Sequence, residues 1–515
     1  MTTDGTKLRA LVVYAAVVPV ALLLGVLLAS PAEFTHWAPI TLFLLLLLFP
    51  LIMKWHRPLL FASWNMTAVV FFLPGHPRLW LVMAFITLTT ALVQRALLRD
   101  MRFIYAPTIL LPLLYLAFIV YLTAKLTGGF GMAIFGSESI GGHRYIEMFG
   151  GIIGCMAMLT ARIPPQKAML YVGLFFLGSL TDIIGNTINF VTPSFYYLFL
   201  IFPVDVVSGD SSSGMIRFYG TSVALMGVFW YMLARFGIRE TLGGRNLKRL
   251  ALLVAVAVLT SFGGYRSFFI LMALTFVLVF YFEGLFRSRF ALPAVGLCVA
   301  AAVIVIPLAD KLPMSMQRTL SFLPLKISPV ARLDADASTE WRIQMWNRVL
   351  PDVPRYLWLG KGLLMDSQEL DMANMEQSSG RSESSAGART ASDYHNGPLT
   401  TIIPFGIWGA LGWIWFLAAA LRASYLNYMY GEEQLKKINT LLLAYLLART
   451  ILFFFVFGNF YSDLGIFTGI VGLNLALNGG IRKPVRVHTV VRPVTLSIPT
   501  AFKPAHTAAV GAGKP

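Results

Sequence analysis

"LALLVAVAVLTSFGGYRSFFILMALTFVLVFYF", Leu250 to Phe282, is a 33-residue apolar stretch broken only by the seven residues SFGGYRS. Divided at the glycine pair, it gives two helices of about 16 residues, or roughly 24 Å each at 1.5 Å per residue. That is a little less than the ~30 Å of hydrocarbon a membrane helix must cross. The turn therefore sets Arg266 at or slightly below a membrane surface. An unpaired arginine there costs up to about 2.5–3.5 kcal/mol, which an anionic ligand offsets. The plainer alternative is an arginine that snorkels to lipid headgroups.

The rest of the chain repeats this pattern. Its 515 residues are 57% hydrophobic and only 13% charged, with a mean hydropathy of +0.72. A water-soluble domain carries about 25% charged residues. The expected fold is an all-α polytopic transmembrane helix bundle of about 12–14 spans, because the apolar runs have the length of membrane helices and do not read as a closed barrel. The runs fall at 10–28, 37–53, 58–73, 79–97, 104–124, 146–161, 168–189, 220–236, 250–264, 267–282, 291–308, 398–421, 438–457 and 464–480. The first is too long, and too quickly followed by others, for a cleaved signal.

Charge sets the expected orientation. Well over half of the 41 Lys and Arg fall on one side if the amino terminus is cytoplasmic, and the short loops of the other side are almost bare. Both termini are then cytoplasmic, and the net charge of +17 reports topology rather than nucleic acid. Four regions follow: spans over 1–308, a large, nearly neutral periplasmic loop over 309–397, further spans over 398–480 and a basic, disordered cytoplasmic tail over 481–515 facing anionic bilayer lipid. Cys155 and Cys298 both lie in apolar runs, so a structural disulfide is not expected.

Within the loop, "STEWRIQMWNRVLPDV" spaces Trp341, Met345, Trp346 and Val349 at helical intervals before a proline stop. "LWLGKGLLMD" then reads as a turn at Gly360 and Gly362, and a Ser/Gly-rich stretch without periodicity follows. The loop ends on "SDYHNGPLTTIIPFGIWG", Ser392 to Gly409, where polar residues meet an apolar span. Pro398 suits the first turn of a helix.

His395, Asn396, Gly406 and Gly409 form a His-Asn, nine residues, Gly-x-x-Gly pattern that resembles the signature of the O-antigen ligase superfamily. The resemblance runs from about Gly214 to Leu421 and takes in Arg342, Trp346, Gly360 and Gly362. It implies transfer of a glycan from an undecaprenyl-pyrophosphate-linked donor to an acceptor hydroxyl, either of a lipid A core sugar or of a second lipid-linked glycan. A sugar hydroxyl is a poor nucleophile, and an imidazole titrating near 6.5 accepts its proton during attack. The leaving pyrophosphate calls for arginine forks.

His395 is thus the expected base and Arg266 the expected pyrophosphate ligand, although Tyr265, Phe268 and Phe269 around it depart from the family's small residues. Arg217, with Gly220, resembles the family's Arg-x-x-Gly lead-in, and Arg342 is a further candidate against a plain solvent-facing arginine. Asp393 shares a face with His395 if that segment is extended, and then orients its ring. Tyr394 offers a stacking surface for a sugar or serves as an interface tyrosine. Gly406 and Gly409, one turn apart, let a neighbouring helix approach.

Asp182 and Arg449 lie inside spans at comparable depth, which permits a pair. His143 and Arg144 face outward beside Glu147, as interface anchors or as glycan contacts. No metal-ligand spacing and no nucleotide-binding glycine loop is visible, so neither metal nor cofactor is expected. The competing readings are a flippase for a lipid-linked glycan, whose cavity would use the same arginines without chemistry, and a metal-dependent glycosyltransferase.

Overall fold

The computed structural model describes residues 47, 53–73, 75–97, 102–128, 130, 139–140, 142–188, 192, 194–203, 209–210, 215–216, 218–243, 247–366 and 392–484. The chain divides into a compact unit, Met1–Arg482, and a second unit, Lys483–Pro515, of which only residues 483–484 are described. The first expected span, nearly all of the second, the Ser/Gly-rich stretch of the loop and most of the tail lie outside the described residues.

The fold is an all-α bundle. Among the described residues eight helices are long and apolar enough to cross a membrane, and Arg266–Phe282 is a shorter apolar helix beside them. In chain order we name α1 (residues 53–63), α2 (Leu79–Leu97), α3 (Pro107–Leu126), α4 (Gly142–Met158), α5 (Ala168–Leu177), α6 (Tyr219–Leu242), α7 (Leu247–Thr260), α8 (Arg266–Phe282), α9 (Ala291–Leu308), α10 (Met314–Thr319), α11 (Pro329–Val349), α12 (Gly397–Tyr430), α13 (Lys436–Phe455) and α14 (Phe460–Asn478). The opening stretch breaks at its glycines: a 3-10 turn closes α7, Gly264 takes φ +70°, and Arg266 begins α8.

Two early expectations change. Lys54 and Arg57 lie within α1 rather than in a loop between spans, and the expected span at 58–73 is only the end of α1 followed by turns and the Val69–Arg78 bridge. The cause is Trp64, whose indole fills the hollows left by Gly154 of α4 and Gly469 of α14, so the chain turns inside the bundle.

Apolar burial does not itself drive helices together in lipid, so small residues that admit close packing decide the contacts. Gly151 of α4 meets Gly465 and Thr468 of α14, and Gly412 of α12 meets Tyr115 and Leu116 of α3. Helix α14 is the most enclosed of the eight, whereas α9 has no fully buried residue and packs on the core only through partly buried residues such as Ala294 and Leu297.

At the end of the bundle away from His395, four buried asparagines tie α12, α13 and α14 together. Asn427 Nδ2 donates to Asn474 Oδ1 at 2.7 Å, and Asn439 and Asn478 exchange amide bonds at 3.0 and 2.8 Å. Beside them Arg162 and Arg482 share Glu432, and Arg249 and Lys437 share Glu240.

Helix α12 is broken. Gly406 adopts φ +66° and ψ −169°, which frees carbonyls one turn earlier, and the loop docks into the gap. Lys361 N–H donates to Ile403 O at 2.9 Å, Gly362 N–H to Pro404 O at 3.0 Å, and Ile407 N–H to Leu357 O at 2.7 Å. The two glycine motifs are therefore the two halves of one joint. A Cβ at Gly360, itself at φ +71°, would stand 2.2 Å from Pro404 O. Gly360→Ala is expected to cost about 1–3 kcal/mol at this joint. The measurement is limited proteolysis, with faster cutting in the 309–397 loop while the spans stay resistant.

This corrects the helix-crossing role expected of Gly406 and Gly409. Gly406 contacts the loop backbone at Leu357 and Trp358, and Gly409 relieves crowding with Phe405 and Thr401 of its own helix. Gly412 makes the interhelical approach instead.

Candidate active site

The loop helix α11 is riveted to the turn between α7 and α8. Helix ends leave carbonyls without intrahelical partners, and here the loop supplies donors. Arg318, at 6% exposure, donates to Gly264 O and to the carboxylate of Asp334, and its Nη2 donates to Ser338 Oγ at 2.8 Å. Thr319 Oγ1 donates to Ser261 O at 2.9 Å. Arg266 Nη2 donates to Ala335 O at 3.0 Å and to Thr339 Oγ1 at 2.9 Å, both on α11. Arg266 thus spends part of its fork holding the loop helix over the membrane turn. Helix α11 begins at Pro329, nine residues before the expected amphipathic stretch, and buries Met345 and Val349 as the spacing predicts.

That packing carries α11 to His395. Met345 and Val349 close over Tyr394, Leu399 and Ile403, with Trp341 and Trp346 at the edge. Trp346 Nε1–H donates to Tyr394 O at 2.7 Å. Tyr394 is 2% exposed, so its ring belongs to this cluster and is not a surface for a sugar to stack on. Asn396 caps α12, its Oδ1 accepting from Leu399 N–H at 3.1 Å. Between these two fixed neighbours His395 sits at φ +48°, with Ser392 at φ +53°. Such a left-handed conformation costs a non-glycine residue about 1–2 kcal/mol.

The imidazole lies between two rings, Phe457 stacked at 5.1 Å and Trp341 at 5.3 Å. Its Nδ1 is 3.5 Å from Asp393 Oδ1, the i, i+2 proximity the sequence offered. Phe457 comes from the α13–α14 turn and reads in the sequence as one more aromatic of an apolar run. Its other neighbour is Arg342, whose guanidinium carbon is 5.8 Å from the ring centre. His395 and Arg342 thus meet across one aromatic ring.

Arg342 has no hydrogen bond or ion pair among the described residues. Burial lowers its pKa, and the nearby charges of Arg266 and Arg318 lower it further. Arg217 lies outside the described residues; its companion Gly220 packs on the carbonyl of Asp182, which a Cβ would approach to 2.2 Å.

Burial pushes the His395 pKa below the ordinary 6.5; Asp393 acts in the opposite direction and Arg342 adds to the lowering. A base with a lowered pKa stays unprotonated to lower pH. The acid limb of kcat/KM is accordingly expected below pH 6.5. Asp393→Asn should move it further down and Arg342→Gln should move it up, read from pH–rate profiles of the free enzyme. Shifts of the same sign in both variants would contradict the assignment.

Arg449 pairs with Asp463 of α14, Nη2 to Oδ1 at 2.5 Å, and not with Asp182. The separation explains the correction: Asp463 is one α14 turn past the cap residue Asn459, whose N–H its Oδ2 accepts at 2.9 Å, and so it faces α13 directly. Arg449 also lines a cavity of about 170 Å³ with Tyr219, Trp230, Phe268 and Tyr445. Among the described residues no cluster of three or more His, Cys, Asp or Glu is placed to hold a metal ion.

Fold and site together define an integral membrane protein with a loop-covered histidine and arginine centre at one end of its helices. Residues 249–414 match the O-antigen ligase family model, a stretch that runs from α7 through the loop and past His395. That family's general activity is glycan transfer of the ligase or polymerase type. No curated protein matches the chain.

Proposed function

We propose that the protein transfers a glycan from undecaprenyl pyrophosphate to an acceptor hydroxyl, a lipid A core sugar or a second lipid-linked glycan, on the periplasmic side of the inner membrane. The supporting observation is the meeting of His395 and Arg342 on Phe457, with the charge of Arg266 nearby. In this reading Asp393 holds the Nδ1 side of the ring and Nε2 takes the proton. The acceptor oxygen forms a bond to the anomeric carbon of the donor as the bond from that carbon to the pyrophosphate oxygen breaks. The electron pair leaves with the undecaprenyl pyrophosphate, whose added charge the guanidinium groups stabilise.

The positions of the arginines move the principal grip from Arg266 to Arg342. Arg266 is engaged with α11 by two hydrogen bonds, whereas Arg342 makes none among the described residues. Charge neutralisation by arginine also supports metal-independent transfer. The far end of the bundle, with Arg162, Arg249, Lys437 and Arg482, supports the orientation that puts both termini in the cytoplasm and the loop outside.

The test is reconstitution in proteoliposomes with purified lipid-linked glycan and acceptor. Product and free undecaprenyl pyrophosphate should form together, and a chelator should not slow them. Translocation of labelled lipid-linked glycan without product would favour the flippase reading, and loss of transfer in chelator would overturn metal independence.

A further inference from the structure

We propose that Asp393, Tyr461, Arg144, Glu147 and Arg78 form the subsite that receives the acceptor sugar, on the side of His395 away from the arginines. This rests on the transfer reading above. In a displacement at the anomeric carbon the attacking hydroxyl and the leaving oxygen stand on opposite faces. With pyrophosphate against Arg342 and Arg266, the hydroxyl that gives its proton to His395 arrives from the other side.

The groups on that side form one connected strip. Asp393 stands 3.5 Å from the His395 ring and is a charged neighbour of Tyr461, in the first turn of α14. Arg144, 8% exposed, lies with its guanidinium carbon 4.9 Å from the centre of the Tyr461 ring. Glu147, one helical turn further along α4, faces Arg78 Nε at 3.7 Å. The loop fixes the start of α4 here: Leu363 N–H donates to Tyr145 Oη at 2.7 Å, and Ser139–Ile140 pairs with Met365–Asp366. The strip is thus tied to the same loop that carries Arg342.

Its composition names its ligand class. Two cations, Arg78 and Arg144, are balanced by two anions, Glu147 and Asp393, and donors alternate with acceptors beside one aromatic ring. A balanced set of fork-shaped groups suits the hydroxyls of an uncharged sugar ring. The donor side has Arg342 with Arg266 near it, an excess of positive charge that suits pyrophosphate.

Two-substrate kinetics in proteoliposomes test the assignment. Arg144→Gln and Tyr461→Leu should raise the acceptor KM about tenfold and leave the donor KM within about twofold. Arg78→Gln, at a rim side chain 53% exposed, should raise the acceptor KM about threefold and decides the matter if the two buried substitutions prevent folding. An unchanged acceptor KM, or a rise in donor KM instead, overturns the subsite. Failure of the transfer reading looks different, since the unmodified protein would then make no product.

Discussion

His395→Ala lowers glycan transfer by about 10²–10⁴-fold at saturating donor and acceptor, the contribution of a positioned base. The loss falls on kcat, because the imidazole meets the hydroxyl proton only as attack proceeds. The substitution removes a ring between Trp341 and Phe457 but none of the hydrogen bonds that dock the loop, which run through Trp346, Asn396 and the Gly360–Gly362 turn. Thermal stability in detergent should change little for His395→Ala and rise for His395→Gly, which relieves the positive φ at residue 395. His395→Gln, which keeps a polar side chain of similar reach but cannot take the proton, should be as inactive as alanine. Transfer within threefold of the unmodified protein in either variant would remove His395 from the chemistry.

The sequence shows the fold through its apolar periods and the site through one motif, and it fails where a residue's role depends on what lies opposite. SFGGYRS is legible because two adjacent glycines interrupt helix on both sides. Arg318 is not, because two of its partners are a carbonyl 54 residues away and a carboxylate sixteen residues on, and nothing local marks it as a rivet. Phe457 is hidden in the same way, one aromatic among several just past the end of α13.

Gly406 shows a subtler limit. The spacing to Gly409 is that of a close helix crossing, and only the backbone reveals that its freedom is used for φ +66° and a docked loop. For Arg449, depth along a helix identified a buried charge that needs a partner, but facing direction selected Asp463 over Asp182. Tyr394 and Asn396 flank the histidine in the motif, and each has a structural task, one in the loop core and one at the α12 cap.

Arg342→Ala is expected to lower kcat by about 10²–10³-fold, the usual loss when one preorganised donor to developing charge is removed. Unlike Arg266 and Arg318, it makes no hydrogen bond among the described residues, so its effect reports charge stabilisation most directly. Arg342→Lys keeps the charge but gives up the planar fork and the contact with Phe457, and should recover only part of the loss. Arg266→Ala also removes the bonds to Ala335 and Thr339, so it should loosen α11 and raise proteolysis of the loop in addition to slowing transfer. Measuring proteolysis and rate together separates the two arginines. Arg342→Ala should leave the loop protected while transfer collapses, and an equal rate loss with equal exposure of the loop in both variants would assign Arg342 to scaffolding rather than to the pyrophosphate.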